Sequence, residues 1–200
     1  MTEQQHYFSS DPHADAKQHT VAFSVGQREF RLAAAPGVFS ASRLDPGTAV
    51  LLRKAPLPTG DGTYLDLGCG WGPVSVALAS FSSGTVHAVD VNSRALELVA
   101  ANAKRLDLGD RILPSTPDDI PEGLEFDEIW SNPPIRVGKE ALHELLAAWL
   151  PRLRPDGTAW LVVARHKGAD SLVPWIADRG FAVVKHASQK GFRVLRVRRS

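Results

Sequence analysis

The chain has 200 residues, 44% hydrophobic and 22% charged, a balance that suits one folded domain and argues against disorder. Its formal charge of +1 excludes a uniformly basic nucleic-acid binder, so any such contact must use a local patch. The single cysteine, Cys69, excludes an intrachain disulfide. The opening residues carry no apolar leader, and no apolar run approaches the roughly 20 residues that span a bilayer. A cytoplasmic protein with no membrane segment is expected.

Residues 1–60 read as a small extension of the main domain. Val21–Val25 and Glu29–Leu32 alternate about the turn signal Gly26-Gln27, which predicts a hairpin. After Gly37-Val38-Phe39-Ser40, the segment Asp45–Lys54 predicts a short helix, closed by Pro56, Pro58, Gly60 and Gly62. From residue 61 to 200, strands alternate with helices, the pattern of a doubly wound α/β sheet. Strands are predicted at Tyr64–Leu67, Thr85–Val89, Arg111–Leu113, Phe126–Trp130 and Thr158–Ala164. Helices follow at Pro73–Leu78, from an Asn92 or Ser93 cap to Arg105, at Lys139–Leu150 and at Ser171–Asp178. Phe181–Lys185 and Phe192–Val197 close the chain as a hairpin, so the last strand runs against its neighbours in a seven-stranded sheet.

Charge is blocked along the chain. Six acids fall within the eleven positions from Asp118 to Glu128, whereas Lys185 to Ser200 holds six bases and no acid. The basic block is either a solvated sheet edge or a contact for RNA phosphates.

Asp66-x-Gly68-x-Gly70-x-Gly72 joins the first α/β strand to its helix, where glycines let backbone approach a ligand at a helix N-terminus. The spacing is neither G-x-G-x-x-G nor a phosphate loop, so a ligand without bound phosphates fits better. Asp90, 24 positions after Asp66, ends the second strand, where a carboxylate can accept both hydroxyls of a ribose. Together they imply an adenosine-containing cofactor, although either feature alone could be an ordinary turn or cap. Cys69 reads as a small side chain packed beneath that cofactor, and Trp71 as a shield against solvent.

Asn132-Pro133-Pro134 ends the fourth strand, at the sheet edge where open α/β proteins bind ligands. The Asn132 side-chain oxygen and the Pro133 carbonyl could present two fixed acceptors to one planar amine, turning its lone pair toward an electrophilic methyl group. A plain Asn-Pro turn is the simpler reading of the tripeptide by itself. The seven histidines lack the close spacing of a zinc site, and no metal is expected.

With these residues in view, the sequence resembles class I S-adenosylmethionine-dependent methyltransferases of the small-domain group, which includes ribosomal RNA guanine-N2 methyltransferases. The likeness covers nearly the whole chain and rests on His6-Tyr7-Phe8, Gly37-Val38-Phe39-Ser40, the Asp66–Gly72 loop, Asp90-Val91-Asn92 and Ser131-Asn132-Pro133-Pro134. It implies a Rossmann-like sheet and an N-methyltransferase that processes rRNA. Asp66, Gly68, Cys69 and Gly70 would line the cofactor's methionine part, Asp90 would hold its ribose, and Val91 would pack on adenine. Backbone groups of Ser115 and Thr116 would face the adenine amino group, where relatives often carry an acid. Asn132 and Pro133 would be catalytic, with Asn132 and Phe39 touching cofactor too. Phe39, Pro134, Ile135 and Arg136 would meet the substrate. The chain departs from the group at Ile135-Arg136, where relatives most often have Phe-His, so Phe39, Phe8 or the Arg136 plane would have to stack on the base. The leading substrate is guanine N2 of small-subunit rRNA, naked or in the assembled subunit. Two other readings stay open: methylation of a protein glutamine amide or a small molecule, and a cofactor-binding RNA-interaction protein without transfer. The glycine spacing disfavours a nicotinamide dehydrogenase.

Overall fold

Period-two and period-3.6 apolar patterns translate into nine strands and five α-helices among the described residues of the computed structural model, 18–133, 138–165 and 169–200. The hairpin is β1 (His19–Val25) and β2 (Arg28–Ala34), turning at Gly26, whose φ of +57° suits glycine. Then come α1 (Pro46–Lys54), β3 (Thr63–Leu67), α2 (Pro73–Phe81), β4 (Thr85–Val89) and α3 (Ser93–Arg105). They are followed by β5 (Ile112–Ser115), β6 (Phe126–Ser131), α4 (Lys139–Trp149), β7 (Leu153–Ala164), α5 (Ala169–Ala177), β8 (Phe181–Gln189) and β9 (Phe192–Arg199).

The seven-stranded sheet has the order β5-β4-β3-β6-β7-β9-β8. Strand β9 lies antiparallel between β7 and β8, as the terminal hairpin predicted, and the pairs among β3 to β7 are parallel. The chain steps outward from β3 through β4 to β5 and then returns to β6 on the other side of β3. That reversal opens a crevice at the carboxyl ends of β3 and β6, which carry the glycine loop and Asn132.

Local signals set several boundaries. Asn92 caps α3 by accepting from the Arg94 amide at 3.0 Å, and Asp45 caps α1 through Gly47 and Thr48. Pro114 sits in β5, a sheet edge, where its missing N–H costs no ladder bond on the solvent side. Strand β7 begins at Leu153 and not at Thr158. Pro155-Asp156-Gly157 has turn chemistry, yet Leu153 pairs with Phe126 and a register shift absorbs the irregular residues.

The N-terminal hairpin belongs to the same apolar cluster as α2 and α3. Phe23 stacks on Phe30 at 5.4 Å and meets Trp71 of the glycine loop edge-on at 5.9 Å. Asn102 on α3 reinforces this joint. Wholly buried, it accepts from the Ala33 amide at 2.7 Å and donates to the Ala33 and Trp71 carbonyls at 2.9 and 3.0 Å. Trp130, Trp149 and Trp160 are core residues. Among the described residues, no helix is long and apolar enough to cross a membrane.

Candidate active site

Asp66, on the last turn of strand before the glycine loop, is 2% exposed and stands where α2 needs a cap. Gly72, at the cap position, has φ +90° and no side chain to offer, so Asp66 Oδ2 accepts from the Ser75 amide at 2.8 Å and hydroxyl at 2.5 Å. Burial pushes the Asp66 carboxyl up to about 7, against the two Ser75 hydrogen bonds and with help from the Asp90 charge.

The loop itself needs its glycines for two reasons. Gly68, Gly70 and Gly72 all have left-handed φ values of +77°, +54° and +90°. A Cβ on Gly72 would press on Val99 at 3.1 Å, whereas one on Gly68 would meet no heavy atom within 4 Å and would project into open space. The Gly68 and Cys69 amides bond the Val89 carbonyl at 2.8 and 3.0 Å, which closes the loop against β4. Cys69 is buried, and burial pushes its thiol well up, the state of a packed side chain and not of a nucleophile. Asp90 reaches the same loop: its Oδ2 accepts from the Gly70 amide at 2.9 Å and its Oδ1 from the Asn92 amide at 3.0 Å. Burial raises the Asp90 carboxyl, partly offset by these amides.

Across the crevice, the Ser131 hydroxyl donates to the Leu67 carbonyl at 2.8 Å and fixes the end of β6 to the end of β3. The next residue, Asn132, spends both amide hydrogens. Its Nδ2 donates to Asp45 Oδ1 at 2.7 Å and to Thr48 Oγ1 at 3.0 Å. Asp45 Oδ1 already accepts from the Gly47 and Thr48 amides, so the Asn132 nitrogen faces it and Oδ1 of Asn132 is left as an acceptor. Gly47 makes room for it: a Cβ there would lie 2.9 Å from Asp45 Oδ1, 3.0 Å from the Phe192 ring and 3.2 Å from Asn132 Oδ1.

Phe39 is presented by strained backbone. Gly37 and Ser40 have φ of +87° and +53°, and the Gly37 carbonyl accepts from Asn92 Nδ2 at 2.9 Å. Val38 is buried, and the Phe39 ring stands 45% exposed at the cleft.

Phe39, Ser40, Asp45, Thr48, Asp66, Gly68, Cys69, Gly70, Trp71, Pro73, Val74 and Asn132 thus surround one cleft, partly open to solvent. Six of the sequence-predicted residues meet there: Phe39, Asp66, Gly68, Cys69, Gly70 and Asn132. Asp90 joins it through Gly70, Val91 is exposed beside Asp90, and Pro133 is buried. Ser115 and Thr116 end β5 away from the lining; the Thr116 amide and hydroxyl are both taken by Asp119, while the Ser115 carbonyl accepts from the Asp90 amide. Phe8, Pro134, Ile135 and Arg136 lie outside the described residues. Asp45, Gly47, Thr48 and Ser75 were not singled out from sequence, and only Asp45, as a cap before Pro46, left any local trace there.

The family described as "Methyltransferase small domain" matches residues 29–196. A Bacillus subtilis protein named "Uncharacterized protein YbxB" is 30% identical over 198 residues, 98% of each chain. Ribosomal RNA small subunit methyltransferase C of Acinetobacter baumannii is 36% identical over 186 residues, covering 88% of this chain and 53% of that protein. The chain therefore spans about half the length of the curated small-subunit methyltransferases it matches. In fold it is similar to a solved structure, "T. Thermophilus 16S rRNA N2 G1207 methyltransferase (RsmC) in complex with AdoMet and Guanosine", with TM-score 0.79 and 23% identity over 95% of this chain and 52% of that one. With the match across residues 29–196, the chain belongs to the methyltransferase small domain family.

Proposed function

We propose that this chain methylates an exocyclic amine of RNA, with guanine N2 of small-subunit rRNA as the acceptor and S-adenosylmethionine as the donor. Family membership carries the S-adenosylmethionine-dependent transfer. The RNA reading is supported by relatives of the small-subunit methyltransferase C type, and a cytoplasmic location is part of the same proposal. The observation that carries the acceptor chemistry is the Asn132 carboxamide, whose nitrogen is held by Asp45 and Thr48 so that its oxygen is free to accept.

The cleft suits the donor. Gly68 leaves open space beside the loop, Asp66 offers a carboxylate to the aminoacyl ammonium, and Asp90 offers one to the ribose diol. Val91, exposed beside Asp90, is the apolar surface for adenine. When bound, S-adenosylmethionine supplies a methyl group made electrophilic by its sulfonium. Asn132 Oδ1 and the Pro133 carbonyl each accept one N–H of the acceptor amine, which aims the nitrogen lone pair at that carbon. Transfer to that amine would break the methyl–sulfonium bond and release the donor as a neutral thioether, and the alkylated amine, now acidic, would give its surplus proton to water. Phe39 is the exposed ring in the cleft on which the flat base stacks.

The test is transfer of labelled methyl to small ribosomal subunits, naked rRNA and total protein from cells lacking this gene. Label in RNA is expected; label confined to protein would overturn the RNA reading in favour of an amide acceptor.

Two smaller effects follow. Gly47→Ala is expected to lower kcat by on the order of 10²-fold, because the new methyl displaces Asn132 or Asp45. Cofactor affinity, measured by calorimetry, should persist. The second concerns pH. The Asp66 carboxyl is raised from 3.8 to about 7, so the free protein binds a proton below that pH and gains stability that is lost as pH rises through about 7. A cationic ligand group must displace this proton, so S-adenosylmethionine should bind on the order of tenfold more weakly at pH 5.5 than at pH 7. Asp66→Asn should flatten that dependence in the same titration.

A further inference from the structure

The basic block at the end of the chain does not form one surface. Strand β9 runs antiparallel to β7, so its two ends lie at opposite edges of the sheet. At the far end, Arg198 donates to Thr158 Oγ1, and Arg199 bonds the Pro151 carbonyl and pairs with Glu125 at 3.6 Å. Those arginines are held by the fold. At the near end, the β8–β9 turn Lys190-Gly191 comes to the edge that holds the cleft: the Arg165 amide donates to the Gly191 carbonyl at 2.9 Å. Phe192, next in the chain, packs its ring beside Gly47, within the group that positions Asn132.

Arg43 approaches the same mouth from another side. It follows the cleft residues Phe39 and Ser40, and its carbonyl accepts from the Ser40 hydroxyl at 2.8 Å. Arg43, Arg165 and Lys190 are all exposed. Apart from the cleft carboxylates, Asp45 among them, and Glu140 in the first turn of α4, the acids named earlier lie elsewhere. Asp118 and Asp119 follow β5, at the opposite flank of the sheet, while Glu125 and Asp127 adjoin the start of β6, at the opposite edge. The three carboxylates of the cleft are turned inward: Asp45 accepts from the Gly47 and Thr48 amides and from Asn132, Asp66 from the Ser75 amide, and Asp90 from the Gly70 and Asn92 amides.

We infer that Arg43, Arg165 and Lys190 form a phosphate-binding rim that seats the RNA backbone on the β7–β9 side of the cleft, next to the Asn132 acceptor. The inference rests on the RNA reading above and deepens it by assigning the surface. Three exposed cations, carried by three separate segments that border one edge of the sheet, match the repeating charge of a nucleic-acid backbone, which is bound through counterion release. The rim contacts phosphates and carries no base preference; the base is chosen inside the cleft.

The test is binding of naked small-subunit rRNA to the full chain across a salt series, comparing the unaltered protein with the triple variant Arg43→Gln, Arg165→Gln, Lys190→Gln. A control triple variant, Arg31→Gln, Lys54→Gln, Lys104→Gln, removes the same charge from exposed positions away from the cleft. The rim variant should bind roughly 30-fold more weakly at 0.15 M salt and show a salt slope smaller by about 2. Its calorimetric affinity for S-adenosylmethionine should be unchanged, which separates lost docking from lost folding. Equal slopes for rim and control variants would overturn the rim while the unaltered protein still labels RNA. Absence of RNA label from the unaltered protein would instead remove the reading on which the rim depends.

Discussion

Asn132→Ala should lower methyl transfer by on the order of 10³-fold while S-adenosylmethionine binding changes only a fewfold, since the lost group orients the acceptor and does not enclose the donor. The size of the effect follows from how Asn132 is held. Its Nδ2 is tied to Asp45 and Thr48, and its neighbour Ser131 is pinned to Leu67, so Oδ1 needs no reorganisation to receive an amine. Asn132→Asp separates this account from one of mere bulk. The substitution keeps the shape but sets a carboxylate oxygen against Asp45 Oδ1, where the nitrogen now sits at 2.7 Å. Repulsion would turn the side chain, so Asn132→Asp should be at least as impaired as Asn132→Ala. Single-turnover rates at saturating cofactor, alongside calorimetric Kd values, check both. A rate for Asn132→Asp near that of the unaltered protein would show that the Asp45 contact does not set the acceptor.

The largest loss of stability is expected at Asn102. Replacing it with alanine strands the Ala33 amide and the Ala33 and Trp71 carbonyls in the apolar joint between hairpin, α3 and glycine loop. Leaving buried groups unpaired costs about 1 to 3 kcal/mol each before relaxation, and a net loss of about 3 kcal/mol is expected for Asn102→Ala by denaturant unfolding. Because Trp71 lines the cleft, cofactor affinity should fall with it. A loss confined to stability would mean that the hairpin braces the domain without shaping the site.

What could be read from sequence divides along range. The strand–glycine–helix unit at Tyr64–Leu78, the Asp90 position, the Asn92 cap and the order of strands depend on local period and turn chemistry, and the structure agrees with them. Asn132 was recognisable as a candidate from its place after β6. What holds it was not, because Asp45 and Thr48 lie 87 and 84 positions away, and a cap residue before Pro46 has the same local signature whether or not it meets a distant amide. Asn102 was hidden for the same reason: a polar residue inside an amphipathic helix reads as solvated until its partner, 69 positions away, is known. The early start of β7 was missed because cross-strand pairing overrode a strong turn signal at Pro155-Asp156-Gly157. The basic block stayed open between two readings for a different reason. Charge counted along a chain has no direction, and the antiparallel placement of β9 sends its two ends to opposite edges of the sheet.

The central claim is that the Asn132 oxygen and the Pro133 carbonyl receive the amino group of guanine. The most direct measurement is to digest labelled rRNA, methylated by the purified protein from S-adenosylmethionine, to nucleosides and to separate them by chromatography with mass detection. The account predicts label in N2-methylguanosine and none when the protein carries Asn132→Ala. Label in a ring-nitrogen-methylated or ribose-methylated nucleoside would contradict it, since neither acceptor presents an exocyclic amine for two carbonyl oxygens to hold.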